Sequence, residues 1–165
     1  MTDITLQADD GYFNYRVGAV IIHENHVLMV KNENYPYYYS VGGRVHFGET
    51  SDSAVLREVY EETKLRFEID GLAFIHENFF IGGFKDNKPF HEIAFFFLMK
   101  SHEHVTNIKC SSVGSDGGKE SLYWLPIDKL NDYPVYPEFF KYALANPSEG
   151  TGHFVTKDDR TYRVK

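Results

Sequence analysis

Hydrophobic and polar positions change their period several times along this chain, and the changes mark its elements. From Arg16 to Ile22 and from His26 to Lys31, two apolar, β-branched runs flank Glu24 and Asn25, the pattern of a β-hairpin. Asn32 to Tyr39 is polar, tyrosine-rich and interrupted by Pro36, so it reads as a loop feeding a short strand that ends at Val41, Gly42 and Gly43. Thr50 or Ser51 then caps a helix, with Asp52 and Ser53 in its first turn and Val55, Leu56 and Val59 as its core-facing stripe. Arg66 to Ile81 reads as extended, and Asp86 and Asn87 as a turn. Ile93 to Met99, IAFFFLM, is apolar without alternation, which predicts a strand covered on both faces and central in its sheet.

Further on, Ser101 to Glu120 is polar, contains Gly114, Gly117 and Gly118, and reads as a long loop. Ser121 to Leu125 predicts a strand, Ile127 to Leu130 a helical turn, and Pro137 to Ala145 a helix with proline at its first position. His153 to Thr156 and Thr161 to Val164 suggest a terminal hairpin. Strands and helices interleave, so the expected class is α/β, with helices covering a sheet in a single domain over residues 1–165.

Composition narrows the possibilities. With 165 residues, 42% hydrophobic and 25% charged, the chain suffices for one genuine core. The N-terminal stretch carries Asp3, Asp9 and Asp10 instead of a basic region and apolar core, and no apolar run approaches the ~20 residues of a membrane helix. The expected location is therefore cytoplasmic, and the single cysteine, Cys110, excludes an internal disulfide and a cysteine-rich zinc site. A net charge of −7 without a Lys/Arg stripe argues against long nucleic acid as a partner, because phosphate neutralisation supplies most of that affinity. Small phosphorylated ligands stay open, since a bridging cation dominates the local field of an acidic site.

The chemistry concentrates between Gly43 and Leu65, GRVHFGETSDSAVLREVYEETKL. At about 100° per residue, Glu58, Glu61 and Glu62 share one helical face, where like-charge pairs cost roughly 0.2 to 0.5 kcal/mol each unless something binds them. Gly42 and Gly43 permit close backbone approach, Glu49 precedes the helix, and Arg57 is placed to orient or neutralise a carboxylate. Oxygen ligands in this arrangement suit Mg²⁺ or Mn²⁺.

These residues resemble the Nudix box, the signature of the Nudix (MutT-like) hydrolases. Gly43, Glu49, Arg57, Glu58, Val59, Glu61, Glu62 and Leu65 stand at the box spacing, while Lys64 occupies the position of the family's final glycine. The resemblance implies the Nudix fold, a mixed β-sheet sandwiched between helices in α/β/α layers. It also implies hydrolysis of the pyrophosphate bond in a nucleoside diphosphate linked to another moiety, with Mg²⁺ or Mn²⁺ required. By the match, Glu61 and Glu62 are the main metal ligands, Glu58 a ligand or the general base, Glu49 a further ligand and Arg57 the residue that orients Glu58. The Gly42 carbonyl is a candidate backbone ligand. Some members carry the base on a later loop, where Glu120 is the preferred candidate and Glu103 and Asp116 are weaker ones. On the substrate side, Arg44, inside the box, and Arg16 and Lys31 are candidates for phosphates or a terminal ribose, and Tyr39, with Tyr35, Tyr37 and Tyr38, for stacking on a base. The expected partner is a small nucleotide, with no membrane association, and a homodimer is common in the resembling family. The competing reading is a catalytically silent nucleotide-binding or regulatory domain of the same fold.

Overall fold

The computed structural model describes residues 1–82, 87–108, 111–114, 117–147 and 149–158. In chain order its elements are β1 (Thr5–Ala8), β2 (Gly11–Val20), β3 (Ile22–His23), β4 (His26–Asn32), β5 (Tyr38–Arg44), α1 (Ser51–Thr63), β6 (Ile69–Ile81), β7 (Pro89–Met99), β8 (Ser111–Val113), β9 (Lys119–Pro126), β10 (Val135–Tyr136), α2 (Phe140–Ala143) and β11 (Gly152–Lys157). The sheet runs β11-β6-β7-β2-β5-β4-β9-β8, with β1 paired to β2, β3 to β4 and β10 to β5. It is mixed: β2 and β7, β6 and β11, and β5 and β10 are parallel, and the other pairs antiparallel.

Two apolar layers lie on the two faces of this sheet. One gathers Ala54, Val55 and Val59 of α1 against Val17, Val30, Val41 and Phe97. The other gathers Phe139 and Phe140 at α2, with Ile127 and Leu130 of a short helical turn, against Val20, Met29, Phe74 and Phe96. Helical elements therefore cover both faces, giving the expected α/β/α layering. Strand β7 lies between β6 and β2 and sends Phe97 into one layer and Phe96 into the other, which explains its unalternating sequence.

Tertiary pairing altered several local expectations. The turn at Glu24 and Asn25 forms, with φ of 45° and 62°, but it closes only the two rungs of β3 on β4. Strand β2 turns away and pairs with β5, which lies between β2 and β4; Gly18 opposes Gly42 and Val17 opposes Gly43, so the backbones meet with few side chains between them. The expected 101–120 loop contains a 3₁₀ turn at Val105–Asn107 and the strand β8, and Glu120 is already in β9. The helix expected over Pro137 to Ala145 shortens to Phe140–Ala143. Of the terminal hairpin, β11 forms but pairs in parallel with β6; Thr161 to Val164 lie outside the described residues, as do Asp86, Cys110 and Asp116. Among the described residues, no helix is long and apolar enough to cross a membrane.

Helix α1 begins as expected, with Thr50 Oγ1 accepting from the Ser53 amide at 3.3 Å. It ends at Lys64, which takes the left-handed conformation (φ 61°, ψ 13°) and donates its amide to the Tyr60 carbonyl. A glycine there avoids the Cβ clash, so Lys64→Gly is expected to raise unfolding free energy by about 1 kcal/mol, even though the Lys64 ammonium caps the Glu61 carbonyl. Urea unfolding measures this, and a loss of stability would show that the ammonium contact outweighs the backbone strain.

His76 is a buried titratable group outside the acidic helix. It packs against Phe139 and pairs with Thr156 Oγ1 at 2.9 Å, and burial lowers its pKa to about 4. The unfolded chain therefore binds a proton near pH 6.5 that the folded chain refuses until about pH 4. Stability present above pH 6.5 should fall by up to about 3 kcal/mol as pH drops to 4. Comparing urea midpoints of wild type and His76→Gln across that window checks it; parallel curves would overturn it.

Candidate active site

The acidic helix meets the sheet at β5. At about 100° per residue, Glu58 and Glu62 fall inside the arc that runs from Ala54 through Val55 and Val59 to Thr63, so they lie on the buried face rather than beside it. Leu56, expected in the core stripe, sits just outside the arc and is exposed; Thr63 is the buried residue on that side, and Ala54 closes the opposite edge. Space for Glu58 comes from Gly43, since any Cβ at Gly43 would collide with the Glu58 carboxylate.

Arg57 organises the acids around it. Its Nε and Nη2 donate to Glu49 Oε1 and Oε2 at 2.9 and 3.0 Å, a two-pronged fork, and Nη2 also donates to the Arg44 carbonyl. Nη1 donates to Glu58 Oε1 at 2.6 Å and lies 3.7 Å from Glu61 Oε2. The hydrogen bonds from Arg57, joined by one from the His46 amide, hold the Glu49 carboxyl below its usual range despite burial. Burial pushes the Glu58 carboxyl up, outweighing its bond to Arg57.

Glu62 differs from the other acids. Its Oε1 accepts from the Gly42 amide at 3.1 Å, while its Oε2 is buried with no hydrogen-bond partner. The residue as a whole is only half-buried, but its carboxylate end points inward, and burial pushes its pKa up to about 8, with Glu58 and Glu120 adding to the shift. Glu61 is 57% exposed at the rim. Across the sheet, Glu120 on β9 accepts from the Tyr39 hydroxyl at 2.7 Å, because β5 and β9 flank β4 and turn both side chains to the α1 face.

A divalent cation fits this donor set. The acids are hard oxygen ligands, and Glu62 Oε2 is a buried carboxyl oxygen that lacks a hydrogen-bond partner. Among the described residues, no three Asp, Glu, His or Cys side chains already converge on one point. That suits Mg²⁺, which is commonly held by one or two carboxylates together with substrate phosphates instead of an all-protein cage.

Comparison with known proteins agrees with this geometry. The NUDIX domain family profile matches residues 13–143. The chain belongs to the Nudix family. It is 31% identical over 147 residues to a MutT-like protein of Streptomyces ambofaciens, covering 89% of this chain and 84% of the relative, and together these matches support a Nudix pyrophosphohydrolase. Its fold also resembles that of the mutator MutT protein of Bacillus halodurans, with a TM-score of 0.64 and 21% identity over 88% of this chain and 92% of that one. A second fold match is an ADP-ribose pyrophosphatase of Streptococcus suis, at TM-score 0.56 and 17% identity over 87% of this chain and 98% of that one.

Within this Nudix domain, Gly42, Glu49, Arg57, Glu58 and Glu62 come together between α1 and the end of β5, with Glu61 at their rim and Arg44 contributing its carbonyl. Tyr39, a candidate for base stacking, has its hydroxyl engaged by Glu120. Two groups escaped the sequence reading. Asp3 reaches back to Arg44 (3.6 Å) and His46 (3.2 Å), a contact made when the N-terminal segment bridges to His46. His46 itself donates its amide to Glu49 and so braces the box. The Asp3 contacts have no sequence signal, since they depend on the N-terminal segment returning to the end of β5, whereas the His46 contact is local, three residues from Glu49.

Proposed function

We propose that this Nudix protein, as one domain over residues 1–165, hydrolyses the pyrophosphate bond of a nucleoside diphosphate derivative with Mg²⁺ or Mn²⁺ bound at the acidic helix. The observation that carries this reading is Glu62 Oε2, a buried carboxylate oxygen without a partner at the conjunction of α1 and Gly42. Glu62, Glu58 and Glu61 would hold the cation, with the Gly42 carbonyl as backbone ligand and Glu49 as a reserve ligand now engaged by Arg57. When bound, the cation supplies positive charge against the diphosphate oxygens and acidifies the attacking water.

The chain's own residues do the rest. Arg57 fixes Glu58 and Glu49 in place, so that the charge of the site is set before substrate arrives. Glu120 is proposed as the general base, taking the proton of the attacking water on a carboxylate oxygen, and Tyr39 steadies it by donating to Oε1. Glu120 lies close enough to Glu62 for their charges to interact, which suits a base working beside the metal ligands.

The names of two similar proteins point to nucleotide derivatives: one is an ADP-ribose pyrophosphatase and another a UDP-X diphosphatase. The test is a panel of nucleoside triphosphates, ADP-ribose, nucleotide sugars and dinucleoside polyphosphates, assayed for phosphate and nucleoside monophosphate release with Mg²⁺, Mn²⁺ and excess chelator. Metal-dependent cleavage of at least one is expected. No cleavage of any, with the protein folded, would favour the silent binding domain.

A further inference from the structure

Where β5 gives way to the loop before α1, Arg44 and His46 serve the acidic cluster through their main chains. The Arg44 carbonyl accepts from Arg57 Nη2 at 3.0 Å, and the His46 amide donates to Glu49 Oε2 at 3.0 Å. Arg57 Nη2 also donates to Glu49 Oε2, so both main-chain groups close around one hydrogen-bonded fork. Such supporting groups orient a site only if the chain that carries them is itself held.

The N-terminal segment holds it. Ile4 donates its amide to the Val45 carbonyl at 2.8 Å, and Phe47 donates to the Thr2 carbonyl at 3.0 Å, while Val45 donates to the Tyr15 carbonyl of β2 at 3.1 Å. These bonds clamp the chain on either side of His46. Asp3 stands opposite His46 in an isolated β-bridge, and its two carboxylate oxygens divide between the two serving residues: Oδ1 lies 3.2 Å from His46 Nε2, and Oδ2 lies 3.6 Å from Arg44 Nη1. Asp3 is half-exposed, so these contacts contribute little to stability. Their effect is on direction. A turn follows at once, in which Glu49 donates its amide to the His46 carbonyl at 3.1 Å and Gly48 takes a φ of 81° that suits glycine. Whatever fixes His46 therefore fixes Glu49, and through Arg57 Nη1 the same fork reaches Glu58.

We infer that Asp3 is a positioning residue of the Nudix site: by holding the side chains of Arg44 and His46, it sets the carbonyl and the amide that keep Arg57 and Glu49 aligned. The alignment also prepares Glu58 and Glu49 for the cation, and this second part rests on the function proposed above.

Exchange of the Arg57 Nε proton with solvent, followed by NMR in the metal-free protein, tests the alignment without requiring turnover. Asp3→Ala and Asp3→Asn should each speed it by at least about fivefold, as expected when a local hydrogen-bonded unit opens more often. Asp3→Glu, which keeps a carboxylate, should recover part of the protection. Thr5→Val removes the segment's other side-chain tie, the 2.7 Å bond to Asn14, and leaves the Asp3 carboxylate in place, so its exchange should stay within about twofold of wild type. Mn²⁺ affinity, measured from the electron paramagnetic resonance of the free ion, should fall about fivefold in the Asp3→Ala and Asp3→Asn proteins and not in Thr5→Val. Unchanged Arg57 exchange in both folded Asp3 variants overturns the inference. Equal acceleration in Thr5→Val also overturns it, because attachment of the strand, and not the carboxylate, would then do the positioning. Asp3-dependent exchange in a protein that binds no Mn²⁺ would sink the metal reading and keep Asp3 as a positioning residue, and tight Mn²⁺ binding with exchange indifferent to Asp3 would do the reverse.

Discussion

Glu62→Gln is expected to lower kcat by about a thousandfold, the rate equivalent of the several kcal/mol that a metal-held carboxylate contributes. The same substitution is expected to stabilise the chelated protein. Glu62 Oε2 is buried without a partner, and burial of a carboxylate in that condition costs about 1 to 3 kcal/mol, much of which a neutral amide avoids. Opposite signs on activity and stability separate a metal ligand from a structural acid, whose removal would lower both. Steady-state kinetics with Mg²⁺ and thermal unfolding in chelator measure the two effects. Full activity in a folded Glu62→Gln protein would remove Glu62 from the metal site, and unchanged stability would remove the buried-charge account.

Arg57→Ala should cost about 3 to 5 kcal/mol of unfolding free energy, because it leaves two enclosed carboxylates without their cation. Glu49 and Glu58 have side chains only 8% and 15% exposed, and Arg57 supplies three of their hydrogen bonds. Arg57→Lys should fall between, since an ammonium keeps the charge but cannot span both Glu49 oxygens and Glu58 together. A double variant, Glu49→Gln with Arg57→Ala, should be less destabilised than the sum of the two single changes, because the carboxylate stranded by losing Arg57 is gone. Urea denaturation of the four proteins gives the coupling. A loss below about 1 kcal/mol in Arg57→Ala would place the cluster among solvent-screened surface pairs.

Much of this site could be read in the sequence because its parts are local. From Glu49 to Glu62 the acids and Arg57 lie on one helix and the loop before it, so helical geometry alone groups them. The cap at Thr50 and the strain at Lys64 are local for the same reason: each depends on the backbone of one helix terminus. The unalternating β7 was equally legible, since burial on both faces leaves its mark in the strand itself.

Other features could not be read this way. The Glu24 and Asn25 turn gave the hairpin, but which strand β2 would finally pair with depended on the glycines of β5, more than twenty residues away from it. The link between Tyr39 and Glu120 spans 81 positions and exists only because two strands flank a third. In the same way, no spacing rule could set Asp3 against Arg44 and His46.

The sequence by itself determined the type of chemistry: which acids share a helical face, which arginine stands among them, and that oxygen ligands invite a hard cation. Tertiary structure decided the state of each group. It buried one oxygen of Glu62 and gave Glu49 to Arg57, and it turned Tyr39 toward Glu120 and brought Asp3 to Arg44 and His46. The division follows from range. Helical periodicity relates residues within a turn or two of one another, whereas burial and cross-strand register arise only when distant segments close over the same space.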